Sequence, residues 1–328
     1  MKLRLIISQF FLACALSALH AASADTTARK TPLIGLLVPD GRYCGISEFR
    51  EGLREFGYIE GRNIVIECRH ASGRFEEAPL AAHELIRMNP DVIVARTHPM
   101  AEVALRATRD IPIVTVVSGD PVAAGWAASL ARPGGNLTGL TYFAWDLYAK
   151  RLELLKAVVP DLKRVGLLVK SSDSKNLTEI YLRVNRMASK ELGLEVVPIE
   201  ANDKSEIERA FEEMANAKIQ AVHVLGYLLF GEEAQLIADL AMLHNLPTMH
   251  FLHEYPSMGG LMGYGPDYPT MRRRMAQYVD KILKGAKPSE LPIEQPTRLM
   301  FSINHTTARD LGLRIPQSLL MRADKVIE

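Results

Sequence analysis

Several things are missing from this 328-residue chain, and each absence removes a class of function. There is no excess of charge, because 39 Lys and Arg stand against 38 Asp and Glu. A nucleic-acid-binding chain would carry a basic surplus. There is no glycine-rich phosphate loop ending in Lys-Ser or Lys-Thr, so ATP hydrolysis of that type is not expected. There is no G-x-S-x-G nucleophile elbow, which counts against a serine hydrolase on an α/β sheet. Cysteine is scarce, and Cys44 and Cys68 are too far apart to form a CxxC redox pair. His244, His250 and His253 match no strong zinc spacing, and neither a metal nor a cofactor is expected. Past the N-terminus no apolar run approaches the roughly 20 residues that a bilayer requires.

What is present begins with a leader. Lys2 and Arg4 precede a mostly apolar stretch, Leu5 to Leu19, which is interrupted by Ser8, Gln9 and Ser17. Ala22-Ser23-Ala24 then offers small residues where a signal peptidase reads. Residues 1–24 are therefore expected to be a signal peptide, and the mature chain periplasmic. Lipid anchoring at Cys14 is not expected, because Phe11-Leu12-Ala13 matches the usual preceding pattern poorly. Setting aside the two basic leader residues moves the formal net charge from +1 to −1. Export leaves Cys44 and Cys68 in an oxidising compartment, where a disulfide and two separate buried thiols both stay open.

The mature chain reads as alternating strands and helices. Continuous apolar runs at Leu33–Val38, Asp91–Ala95 and Ile113–Val117 predict strands buried on both faces, with a further strand at Asn63–Glu67. The run Ser118-Gly119-Asp120-Pro121 ends the fourth of these, and a helix is expected after it. The pattern restarts at Arg164–Val169, followed by strands at Leu194–Ile199, Ala221–Leu225 and Pro247–His250 with helices at 204–216 and 232–244 between them. A helix over Tyr268–Leu283 precedes a proline-punctuated connector at Pro288, Pro292 and Pro296. This order predicts two doubly wound, Rossmann-like α/β lobes.

The ordered segments Phe49–Asn63, Pro90–Val94, Gly119–Val122, Arg132–Gly139, Gly263–Asp267, Ile282–Pro288 and Leu311–Pro316 carry a recognisable pattern. The chain resembles the ABC-transporter substrate-binding proteins of the family that includes tryptophan- and other aromatic-amino-acid-binding members. That resemblance implies the type I periplasmic binding protein fold, with a ligand cleft between lobes. The lobes would comprise residues 31–143 with 266–290 and residues 144–265 with 291–328, joined by crossovers near Tyr142–Asp146, Tyr264–Asp267 and Leu291–Thr297. Hinge closure would trap the solute, and the closed form would dock on a membrane permease served by an ATPase. The chain itself would be no enzyme, and a monomer would suffice because each copy holds a whole cleft.

Loops at the carboxyl ends of strands face such a cleft. The first-lobe candidates are Thr97, His98, Ser118, Gly119 and Asp120, with Asp40 and Tyr43 beside them. Asp120 would either pair with a ligand amine or cap the following helix. The second-lobe candidates are Ser172, Asp173, Asn176, Gly226, Tyr227 and Glu254. Ser172–Ser174 would equally serve as a helix-capping cluster. Tyr142, Tyr227 and Tyr264 would form an aromatic wall or simply pack. His98 replaces the small residue associated with its loop, and Met249–Glu254 departs from the family pattern, so the ligand's identity does not transfer. The expected ligand class is an amino acid or related carboxylate. An exported sensor that presents its solute to a membrane signalling receptor shares all these features and remains the alternative.

Overall fold

Apolar runs of four to six residues cannot leave either face to water, so the chain stacks them into two sheets covered on both sides by helices. A computed structural model describes residues 31–142, 144–172, 175–296 and 298–328. Residues 1–30, which include the expected leader and Cys14, and also Asp173 and Thr297 lie outside the described residues. The first sheet holds β1 (Leu33–Val38), β2 (Val65–His70), β3 (Val92–Ala95), β4 (Ile113–Val117) and β5 (Leu137–Thr141). Its order is β2-β1-β3-β4-β5 and every pair is parallel.

The second sheet holds β6 (Arg164–Val169), β7 (Glu195–Glu200), β8 (Ala221–Val224), β9 (Thr248–His250), β10 (Met262–Pro266), β11 (Leu299–Asn304) and β12 (Lys325–Ile327). Its order is β12-β11-β10-β9-β8-β6-β7, parallel except between β10 and β11. The helices that matter for the site are α1 (Ser47–Glu55), α2 (Ala78–Arg87), α3 (His98–Ala107), α4 (Ala144–Val158), α5 (Lys175–Glu191), α6 (Lys204–Asn216), α7 (Leu228–Glu232), α8 (Ala234–Leu243) and α9 (Tyr268–Leu283).

Alternation along β1 sorts its side chains between two core layers. Ile34, Leu36 and Val38 pack with Phe49 and Leu53 of α1 and Met275 and Val279 of α9. Leu37 points the other way, toward Leu85 of α2 and Met100 of α3. Helix α9 thus covers the first sheet although it follows a strand of the second. Cys44 and Cys68 form a disulfide with a Cα–Cα separation of 5.9 Å. The parallel pairing of β1 with β2, which sets Leu36 opposite Cys68, brings the two cysteines together.

Three expectations change. No helix follows Asp120; Pro121–Gly125 is a single turn, closed by Ala124 N–H donating to the Asp120 carbonyl. Gly125, with φ of 72°, breaks it before a second turn can form. The helix expected over 232–244 is present as α8, and the short α7 precedes it. The strand β12 and a short helix over Gln317–Leu320 complete a tail that has little apolar periodicity to announce them. The connector from residue 291, expected in the second lobe, instead lies on the first sheet. Ile293 N–H donates to the Leu130 carbonyl, Glu294 N–H to the Gly139 carbonyl, and Thr141 N–H to the Glu294 carbonyl. The exposed edge of β5 needs those backbone partners, so the chain leaves the first lobe only after Glu294.

Gly139 of β5 has φ of 131°, and a Cβ there would stand 2.1 Å from the Thr115 carbonyl oxygen of β4. Gly139→Ala is expected to remove at least about 2 kcal/mol of stability through positive-φ strain and a backbone collision. Urea unfolding midpoints at unchanged slope will measure it. A variant as stable as the parent would mean that β5 can slide off Thr115.

Candidate ligand-binding site

Each sheet reverses its winding once, between β1 and β3 in the first and between β6 and β8 in the second. At such a point the neighbouring loops part and leave a crevice at the strands' carboxyl ends. The two crevices face each other across a cavity of about 340 Å³, within the range of small-molecule sites. The loops after β1 and β3 contribute Asp40, Tyr43, Arg96, Thr97 and His98. Those after β6 and β8 contribute Lys170, Gly226 and Tyr227. Helix α9 adds Tyr268, Met271, Arg272 and Met275.

Arg96 lines the cavity and was not anticipated from the sequence. It follows β3 directly, half-buried in the cavity wall. Its Nη1 donates to the Tyr43 carbonyl at 3.1 Å, and its guanidinium lies 4.8 Å from the centre of the Tyr43 ring. Among the described residues no carboxylate is paired with it, whereas neighbouring Arg272 is held by Glu48 at 3.0 Å. Burial, and then the nearby Arg272 charge, bring Arg96 down to about 10, so it remains cationic at neutral pH. Its signal in the sequence was a lone cation closing an otherwise apolar strand.

Beside it, on the other side of Tyr43's contacts, is a group with more carboxylates than cations. Arg42 is paired with Asp40 at 3.1 Å and with Glu232 of α7 at 3.1 Å, so one guanidinium sits between two carboxylates. The Arg42 backbone N–H and side chain hold the Asp40 carboxyl below its ordinary range. The Tyr43 phenol is pushed up by burial and also hydrogen-bonds Glu232. Arg42 and Tyr43 belong to the first lobe and Glu232 to the second, so these contacts span the cleft.

A hydroxyl network forms the floor. Ser118 and Tyr181 share a hydrogen bond of 3.1 Å, again between lobes. Tyr142 bonds Ser118 and Tyr268, and Tyr181 bonds Tyr148. Tyr181 packs edge-on to Tyr148 and Tyr227, each at 5.4 Å. Burial raises all of Tyr142, Tyr148, Tyr181 and Tyr268, so the floor is neutral and hydrogen-bonding. Tyr181, Tyr268 and Phe251 were not anticipated, because each lies on a helix face or after a three-residue strand whose orientation the sequence does not fix.

Of the residues singled out from sequence, Thr97, His98, Ser118, Tyr142, Gly226 and Tyr227 line the cavity, with Asp40 and Tyr43. Thr97 also caps α3 by accepting from Met100 N–H. Gly119 and Asp120 do not line it: the Gly119 carbonyl accepts from Thr141 Oγ1, and Asp120 Oδ1 accepts from Val122 and Ala123 N–H. Ser172 is exposed and set back from the cavity, accepting from Lys170 Nζ. Glu254 turns toward His253, 3.2 Å away. Tyr264 packs edge-on to Phe301, and its carbonyl accepts from Arg151. Asp173 and the Asn176 side chain lie outside the described residues. Among the described residues no His, Cys, Asp and Glu group is arranged for a metal, and no helix is long and apolar enough to cross a membrane.

Two imidazoles in and behind the wall are held neutral. The His98 ring packs at a tilt against Trp126, 4.6 Å between centres, and burial brings it down to about 4. Burial brings His250 down to about 3; its Nδ1 accepts from Leu252 N–H, so its Nε2 donates to the Phe230 carbonyl. In the unfolded chain both titrate near 6.5. Below that pH the unfolded state binds protons that the folded state refuses, so stability is full above about pH 7 and falls as pH drops from 6.5 toward 4. The expected loss at pH 5 is on the order of 2 kcal/mol per imidazole. Denaturation midpoints across pH should show this decline, and His98→Gln should make it shallower. An unchanged slope in that variant would show that His98 protonates freely in the fold.

Comparisons with known proteins agree with this architecture. The family model described as ABC transporter substrate binding protein matches residues 33–327. A tyrosine-binding protein of Clostridioides difficile is 27% identical over 267 residues, which cover 81% of this chain and 76% of that protein. A conserved domain protein from Vibrio cholerae superposes with a TM-score of 0.78 at 26% identity, covering 90% of this chain and 100% of the other. A Streptococcus pneumoniae domain in complex with L-Trp superposes with a TM-score of 0.76 at 24% identity, over 90% and 100% of the two chains. The fold is that of type I periplasmic binding proteins. A two-lobed chain with its cavity at facing switch points, matched to the family model over nearly all of its described length, belongs to the ABC transporter substrate-binding proteins.

Proposed function

We propose that this chain is the extracytoplasmic solute-binding component of an ABC importer and captures an aromatic amino acid. The observation that carries the reading is Arg96, a guanidinium with no carboxylate of its own among the described residues, in a cavity floored by tyrosines. The ligand's carboxylate pairs with Arg96, a charge-assisted contact strengthened by partial burial. Its ammonium faces the Asp40–Arg42–Glu232 group, where two carboxylates share one cation. Its ring lies among Tyr181, Tyr227, Tyr268 and Phe251, where edge-on packing is favourable. Relatives that bind tyrosine and L-Trp support the class.

Closing the lobes brings Ser118 to Tyr181 and Arg42 to Glu232, and the closed monomer then delivers its solute to a membrane permease. The motion turns on the crossovers after Tyr142, at Pro266–Asp267 and after Glu294.

Refolding the mature chain removes any copurified ligand. L-Tyr, L-Trp and L-Phe are then compared by thermal shift and calorimetry with tyramine and 3-phenylpropanoate. A true ligand at about 100 times its dissociation constant adds about 2.7 kcal/mol. Arg96→Ala is expected to weaken binding about a hundredfold, as loss of one partner from a desolvated charge pair does. The absence of stabilisation by any of the three amino acids in folded protein would reject the aromatic reading.

A further inference from the structure

Part of the first-lobe side of the site rests on one small piece of backbone, the single 3-10 turn Gly41–Cys44. It carries Arg42 and Tyr43. Arg42 reaches Glu232 across the cleft. Tyr43 supplies both the carbonyl that Arg96 donates to and the ring beneath its guanidinium. A turn of this kind has little internal stiffness. It has no ladder of i to i+4 bonds, and glycines at 41 and 45 stand at its two ends. Its own bonds are few: Tyr43 N–H donates to the Asp40 carbonyl, and Arg42 N–H to Asp40 Oδ1.

What ties it to the sheet is covalent. Cys44, the last residue of the turn, is bonded to Cys68 of β2, the edge strand beside β1. The His70 ring, two residues along the same strand, packs against Gly41 at the other end of the turn. Arg50 Nη1 donates to the Cys44 carbonyl. The turn is thus held against β2 at both ends, but only the disulfide is a bond that thermal motion cannot open.

We propose that the Cys44–Cys68 disulfide is a positioning element of the ligand site: by fixing the Gly41–Cys44 turn, it sets where Tyr43 holds Arg96 and where Arg42 meets Glu232. This rests on the reading of the cavity as a solute site. The disulfide touches no ligand and acts through the turn. One consequence is that a chain still in a reducing compartment holds solute weakly, so capture becomes efficient only where the disulfide can form.

The test is a double-mutant cycle across the cleft, with Cys44→Ser/Cys68→Ser on one side and Glu232→Gln on the other. L-Tyr and L-Trp are the probes, at a temperature where circular dichroism shows every variant folded. The serine pair is expected to lose at least fivefold in affinity and Glu232→Gln several-fold. The combined variant should lie within twofold of the weaker of the two, because both act on one contact. Reducing the parent with a phosphine should reproduce the serine phenotype, and reoxidation should reverse it. A disulfide that serves only stability would lower the melting temperature while leaving affinity within twofold, or would give losses that multiply. Either result overturns the proposal.

Amide hydrogen exchange without ligand provides a reading that does not depend on the probe. Exchange in the serine pair should rise at least tenfold at Tyr43 and also increase over residues 228–232 of the other lobe. A rise that stops at the turn overturns the proposal. Failure of both probes to bind the parent protein rejects the aromatic reading instead and leaves the exchange result to decide this one.

Discussion

Both parallel sheets wind outward from an internal pair of strands, β1 with β3 and β6 with β8, and the contents of the cavity follow from that constraint. Right-handed crossovers send consecutive helices to opposite faces on either side of such a pair. The loops beyond those strands therefore diverge, and their backbone and side chains are left facing open space. In this chain those loops carry Asp40, Tyr43, Arg96 and His98 on one side and Lys170, Gly226 and Tyr227 on the other. Neither crevice encloses a ligand alone. The cavity exists because the chain crosses between the lobes and turns the two crevices toward each other.

The electrostatics of the site divide into what is compensated and what is left open. Arg272 is matched by Glu48, and Arg42 by two carboxylates. Arg96 is left to a carbonyl and an aromatic face. Beneath the floor, Arg151 is buried to 1% exposure, its Nε donating to the Tyr264 carbonyl and its guanidinium 5.5 Å from the Tyr148 ring. Burial draws its affinity for a proton down, while the surrounding tyrosines act the other way. It joins α4, which follows the first crossover, to β10, which precedes the second.

Much of the architecture could be read in advance because burial on two faces leaves a plain mark. Leu33–Val38 is a continuous apolar run, Ile113–Val117 and Val165–Val169 are strongly apolar, and their alternation with helical segments specified parallel sheets. Helix α9 was legible to the residue, with Asp267 capping its start and Lys284-Gly285 stopping it. The cavity lining was legible only where a residue follows a strand end, as at Thr97, Ser118, Gly226 and Tyr227. Asp120 and Glu254 carry the right chemistry, but each points elsewhere, the first into its own turn and the second toward His253. Tyr181 and Arg272 were missed because a helical residue reveals its period and not which neighbour its face will meet.

The sequence by itself determined most of the strands, the mainly parallel character of their sheets and the two-lobed α/β class, because those depend on local periodicity and on the short reach of each connection. It also placed the cysteines near the ends of two neighbouring strands. Only the tertiary structure decided which lobe claims the chain at 291–294, since that follows from the unpaired edge of β5 rather than from any property of those residues. It alone decided that Arg96 rather than Asp120 faces the cavity, and that Arg42 meets Glu232 almost two hundred positions away. Those outcomes depend on how two separately folded sheets are turned toward each other. That angle is set by packing across the crossovers, and no local pattern of residues encodes it.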